Sequence, residues 1–341
     1  MKENVEKRLR DLADYLLLNA HALSSSGLMQ GRAGIALSLF ETAALLHDAY
    51  LEEQAFELLR QALLTRTEQI DMSSGLGGIG YALLHVVRGK LLDADFEELF
   101  GNQCRQIEEQ MELKLHKAGY NGFELLDLAL FWNAQGRTMA EQARNRLLAA
   151  AESRLEKWFD ELAATETRKL LVKTAILSRW THYLRVVAAC VTYEPPVALF
   201  QCYMNLYRKD YFRNDWETGY WLGVLSGRVA LSGLPEIASR NREVGNWDGV
   251  REEQLFSTYI HCSYLRLHDV ACRRTTLERV RGDYLEASQE ELETRLGKLD
   301  VLQPGMVGLH GIASLLLLLC AVCQLEDSAA DNRIHFILGS L

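Results

Sequence analysis

Residues 31–36 read Gly31-Arg32-Ala33-Gly34-Ile35-Ala36, and the chain returns to this phrase twice. Gly75-Leu76-Gly77-Gly78-Ile79-Gly80 is the second copy, and Gly308-Leu309-His310-Gly311-Ile312-Ala313 is the third. Each fits G-x-x-G-I-[AG] and leads into apolar residues: Leu37-Ser38-Leu39-Phe40, Tyr81-Ala82-Leu83-Leu84, and Ser314 onward. Two glycines three residues apart at the start of a helix admit a close backbone neighbour. Three such matches define an internal repeat, which outranks every local reading.

The spacing sets the period. Gly31 to Gly75 is 44 residues, and Gly75 to Gly308 is 233, or five intervals of about 46.6. Four further repeats are therefore predicted to start near 122, 168, 215 and 261. Gly122 opens Gly122-Phe123-Glu124-Leu125-Leu126 at the first of these, while Lys169-Leu170-Leu171 at the second has lost its glycines. Gly219 and Gly223 precede Val224-Leu225-Ser226-Gly227 at the third, and His261-Cys262 stands at the fourth. Seven repeats of about 48 residues account for the 341-residue chain.

A unit of that length fits two helices and two short connections. Leu51 to Leu64 and Met139 to Trp158 are amphipathic, whereas the motif helices are apolar nearly all round and belong inside. The predicted fold is all-α: one α/α toroid domain over residues 1–341, with seven helical hairpins in an inner and an outer layer. Ser24, Ser25, Ser26, Ser73 and Ser74 are predicted to cap the first two inner helices. Inner-helix N-termini in a toroid ring one mouth, where the site is expected.

Composition narrows the function. A formal net charge of −9 and a pI near 5.6 disfavour nucleic acid, because phosphate contacts need clustered cations. Leu315 to Val322, the longest apolar run, is far short of the roughly 20 residues of a membrane span. Met1 to Arg10 is charged throughout, unlike a secretory leader. Seven scattered cysteines read as reduced, buried thiols. A cytoplasmic location follows from these readings.

The glycine phrases resemble the lanthionine synthetase C-like (LanC-like) family. The matching stretches are GLMQGRAGIALSL (27–39), SSGLGGIGYALL (73–84) and PGMVGLHGIASLL (304–316), with the tail IHFILGSL (334–341). The resemblance implies an α/α toroid with one zinc, held by a cysteine in W-C-x-G of the fifth repeat and by Cys-His in C-H-G of the sixth. Zinc there activates a peptide thiol for addition to a dehydrated Ser or Thr. A histidine of the fourth repeat and an aspartate of the third are the implied acid/base residues.

This chain departs from that pattern. Its fifth repeat reads Tyr220-Trp221-Leu222-Gly223, with Trp221 in the cysteine's place. Its sixth reads Ile260-His261-Cys262-Ser263, retaining only His261. No histidine lies between Arg168 and Leu177, and no aspartate in His116-Lys117-Ala118-Gly119-Tyr120. The expectation is a LanC-like protein of a lanthipeptide-type maturation pathway that lacks zinc and any other cofactor. It would be a pseudoenzyme binding a modified precursor peptide or a peptide-modifying enzyme.

Two alternatives stand beside it. One is an active thioether-forming cyclase, or another enzyme, with a remodelled site at His261, Cys262 and His310. The other is a carbohydrate-active α/α barrel working with paired carboxylates. Asp215 and Glu217 are its candidate pair, although residues at i, i+2 do not share a helical face.

His261 and Cys262 are the candidate metal or thiol site, against the reading that they are drifted remnants. His268 and Cys272 stand one helical turn apart, a spacing that can chelate. Cys320-Ala321-Val322-Cys323 lies in an apolar helix and reads as core. Trp216, Tyr220 and Trp221 are candidates for stacking on a peptide or sugar, with core packing as the competing reading. His310 is a candidate acid, base or ligand-binding group.

Overall fold

The computed structural model describes residues 3–117, 120, 122–164, 170–244, 270–297, 307–309 and 311–326. Among the described residues there are fourteen α-helices and no strand. The apolar motif helices and the amphipathic helices alternate along the chain. The motif helices are α2 (Arg32–Leu46), α4 (Leu76–Arg88), α6 (Leu128–Gln135), α8 (Leu170–Ala189), α10 (Trp216–Leu225) and α14 (Ile312–Glu326). Between them come α3 (Ala49–Leu64), α5 (Phe96–Leu115), α7 (Thr138–Ala164), α9 (Val197–Arg208) and α11 (Leu234–Val244). The predicted starts near 122, 168 and 215 thus fall within a few residues of α6, α8 and α10. Helices α1 (Glu3–Ala20), α12 (Val270–Val280) and α13 (Gln289–Gly297) complete the set. None of the described helices is long and apolar enough to cross a membrane.

Burial follows the same alternation. In α2 every residue from Ala33 to Ala43 is buried, and in α4 every residue from Leu76 to Val86. In α3 only one stripe is buried: Leu51, Ala55, Leu58, Leu59 and Ala62. The i, i+4, i+7 spacing of that stripe is what an outer helix needs to seal an inner one.

The chain divides into two compact units, residues 1–110 with 249–341, and residues 111–248; α5 carries the boundary. In the first unit α2 packs against α3, α4 and α14, and α14 also meets α1 and α12. In the second, α6 packs on α7, α8 on α10, α10 on α11, and α7 on α8 and α9.

The glycine phrases do their structural work in the first unit. A Cβ on Gly34 would overlap the Leu28 carbonyl oxygen and sit 3.1 Å from Leu309 Cγ. One on Gly78 would overlap both Met72 O and Leu28 N, and one on Gly308 would overlap Met29 O. Loop 27–30 is thus gripped from three motifs at once. The Leu28 N–H donates to Met72 O at 3.2 Å, and Met29 and Gln30 N–H both donate to Ser73 O.

The serines do not cap these helices, contrary to expectation. Gly31 and Gly75 occupy the N-cap positions without a side-chain bond. Carbonyls seven residues upstream take the cap's role: Arg32 and Ala33 donate to Ser25 and Ser26 carbonyls. Leu76, Gly77 and Gly78 donate likewise to Gln69, Ile70 and Asp71. The folded-back loop satisfies the donors that a helix start leaves open, so these two N-termini are not open anion sites. The serine hydroxyls bond within the loops instead, Ser26 to Thr65 at 2.8 Å and Ser74 to Asp71 at 3.2 Å.

Candidate functional site

In the second unit a partly exposed imidazole–carboxylate pair joins the third and fourth motif helices. Gly122, at φ +75°, turns the chain into a short 3-10 turn, Phe123–Leu125, which delivers Asp127 to the N-cap of α6. Asp127 makes no capping bond to α6, because its Oδ1 lies 2.7 Å from His182 Nε2 in the middle of α8. Arg185, one turn further along α8, stands 3.7 Å from the same oxygen. The side chains of His182 and Asp127 are 26% and 29% exposed, so the pair is held by the fold yet open to solute. A carboxylate bonded to one imidazole nitrogen fixes the ring's orientation, the arrangement that proton transfer uses.

Aromatic and cationic groups adjoin the pair. The Phe123 ring centroid is 6.4 Å from that of His182. The Arg179 guanidinium lies 5.6 Å from the Phe123 ring and 5.0 Å from Trp158, and Arg154 lies 5.0 Å from the same Trp158 ring. Neither arginine has a carboxylate partner among the described residues. Glu156 and Asp160 act on the Cys202 thiol of α9, and Glu152 is buried, accepting the Tyr183 and Tyr193 hydroxyls at 2.6 Å each. Loss of solvent pushes the Glu152 carboxyl above the usual range, against the lowering effect of those two bonds.

The aromatic candidates of the fifth repeat divide. Trp221 is 1% exposed and Tyr220 is buried, their rings meeting edge-on at 4.9 Å. Both are core residues, and only Trp216, stacked on Tyr220 at 5.4 Å, is half-exposed. Tyr220 and Trp221 packing inward follows from their place on a motif helix whose described face is buried. Asp215 caps α10, accepting from Thr218 N at 2.8 Å and from Thr218 Oγ1 at 2.6 Å, while Glu217 lies 3.4 Å from Trp221 Nε1. A carboxylate fixed as a helix cap is poorly suited to the glycosidic acid/base role considered for that pair.

His261, Cys262, His268 and His310 lie outside the described residues, as does the side chain of Cys272. Cys320 and Cys323 are buried on α14. Cys320 lies 3.4 Å from Thr42 Oγ1, and burial holds its thiol well above the ordinary range. Such a thiol is neither a good nucleophile nor a ready metal ligand. Trp221, where the resemblance implies the first zinc cysteine, is 1% exposed, and its indole carries no free lone pair for a metal.

Two buried or half-buried pairs had no counterpart in the motif reading. His85 and Glu41 meet at 2.8 Å inside the first unit and tie α4 to α2. His182 and Asp127, 55 residues apart, are joined only by the packing of α6 and α8. The usable signal was positional: each lies on a motif helix or at its start. Comparisons of the chain with family models, with curated proteins and with solved structures return no match.

Proposed function

We propose that the chain is a zinc-free LanC-like α/α toroid that binds a modified peptide, or the enzyme that modifies it, at a mouth formed by the motif helices. The observation that carries this reading is Trp221: an indole packed at 1% exposure where the resemblance places the first zinc ligand. Support for closure into a ring comes from the first unit. There α14, the last motif helix, packs against α2, the first, and Gly308 seats on the Met29 carbonyl. The half-exposed Trp216 and Trp158 are aromatic side chains of the kind that hold extended peptides.

A second reading is favoured by one specific observation, the 2.7 Å contact between His182 and Asp127. This reading makes the chain a metal-independent enzyme. His182 takes the proton of a cysteine thiol as sulfur adds to the dehydroamino acid, and a proton is delivered to the neighbouring α-carbon.

One experiment separates the two. A synthetic peptide carrying one dehydroalanine and one cysteine is incubated with the full chain, and its free thiol is followed by alkylation and mass spectrometry. The binding reading expects peptide retention on the protein with thiol loss at the uncatalysed rate. Faster loss that His182→Gln abolishes establishes the enzyme and rejects the pseudoenzyme.

A further inference from the structure

We infer that Arg154 and Arg179, laid against Trp158, form a receptor for an oxyanion carried by the peptide ligand, beside His182. This inference rests on the peptide-binding reading and names the chemistry that such a peptide must present.

The argument begins with how the two guanidiniums are held. Arg179 is in reach of two ring faces, at 5.6 Å and 5.0 Å, and Arg154 of one, at 5.0 Å. A guanidinium laid over an aromatic face is attracted through its plane, and its in-plane N–H fork stays available. That fork matches a carboxylate or phosphate edge, giving short, charge-assisted and often paired bonds. Arg154 Nε is buried without a hydrogen-bond partner, so this donor has already been removed from water without compensation.

Charge around the patch points the same way. No carboxylate among the described residues pairs with Arg154 or Arg179, so an anionic ligand meets no competing counter-charge on either guanidinium. Asp127, the acid beside His182, is committed to His182 and Arg185. Glu152 of α7 is buried against the Tyr183 and Tyr193 hydroxyls. Arg179, His182 and Arg185 recur at i, i+3 and i+6 along α8. An anion on Arg179 therefore places the adjoining part of its ligand next to the imidazole.

The probes are three fluorescein-labelled peptides of one length: one carrying glutamates, one with glutamine in their place, and one with phosphoserine in their place. Fluorescence anisotropy with the full chain measures each affinity. The expected result is that a charged peptide binds roughly tenfold or more tightly than the glutamine peptide, and that Arg154→Gln or Arg179→Gln removes the difference. Whether the glutamate or the phosphoserine peptide gains more identifies the source of the oxyanion. Far-UV circular dichroism checks each variant. Should a glutamine variant fail to fold, Arg179→Lys is used, which keeps the charge but loses the planar fork, and the phosphoserine and glutamate peptides should still weaken. Equal binding of all three peptides overturns the oxyanion receptor and leaves peptide binding standing. Binding of none overturns both, and charge-selective binding that survives the arginine substitutions places the anion elsewhere and also overturns the proposal.

Discussion

Replacing Gly78 by alanine isolates the interaction on which the glycine phrases depend. In an open helix interior this change stabilises by about 0.5–1 kcal/mol, because glycine loses more backbone entropy on folding. Here the new Cβ would fall between Leu28 N and Met72 O, the donor and acceptor of the 3.2 Å bond that joins the first two motif loops. Both overlapping atoms are backbone, and Leu28 Cβ stands only 2.9 Å away, so no rotamer change relieves the clash. Overpacking of a dense core costs about 1–3 kcal/mol. Losing a buried backbone bond with its polar ends unsatisfied costs about 1–3 kcal/mol more. Against the propensity gain, the net loss is about 1–5.5 kcal/mol. Gly223→Ala in α10 is the matched control. Its Cβ meets nothing nearer than the Arg242 guanidinium at 3.8 Å, the far end of a flexible side chain, and a gain of about 0.5–1 kcal/mol is expected. Urea unfolding at constant m gives the stabilities, and hydrogen exchange at the Leu28 amide reports the bond itself. A Gly78→Ala protein as stable as the parent, with Leu28 equally protected, refutes the reasoning.

Three further outcomes follow from the second unit. Arg228 caps the C-terminus of α8, donating to Val187 O at 2.9 Å and Cys190 O at 2.8 Å and also to the carbonyls of Ala188 and Tyr193; Arg228→Ala should cost about 2–3 kcal/mol in urea unfolding. Asp127→Ala, His182→Ala and the double variant form a cycle whose coupling should be about 1 kcal/mol, read from the same unfolding curves. Glu152 has its carboxyl raised in the folded state by burial, so the folded chain holds a proton that the unfolded chain releases first. Its contribution is therefore full below the unfolded value and is lost as pH rises through the raised folded value. Glu152→Gln keeps an acceptor for Tyr183 and Tyr193 and should flatten that decline in thermal melts taken across the acidic range.

The repeat was legible because its cause is steric and local. A glycine pressed against a neighbouring carbonyl leaves a residue-level mark, and the period it sets reaches α8, whose start has no glycine. The layering was legible too, since a helix apolar nearly all round, such as α4, has no polar face to turn outward; it is buried from Leu76 to Val86. What failed was anything requiring knowledge of direction. Tyr220 and Trp221 pack inward rather than toward a ligand, and residue identity alone does not tell the two apart. Ser74 was read as a cap from its position, but the cap comes from the backbone of residues 69–71, which has no sequence signature. The His182–Asp127 pair was missed for the same reason. It depends on which turn of α8 faces the start of α6, and His182 lies five residues beyond the 168–177 stretch that the repeat period marks.

The proposed function rests on a site without zinc, and elemental analysis of the full chain purified without chelator and with zinc present during expression addresses it most directly. Zinc well below one atom per chain is the result this account predicts. One tightly held zinc per chain, lost when His261 and Cys262 are substituted, would contradict it.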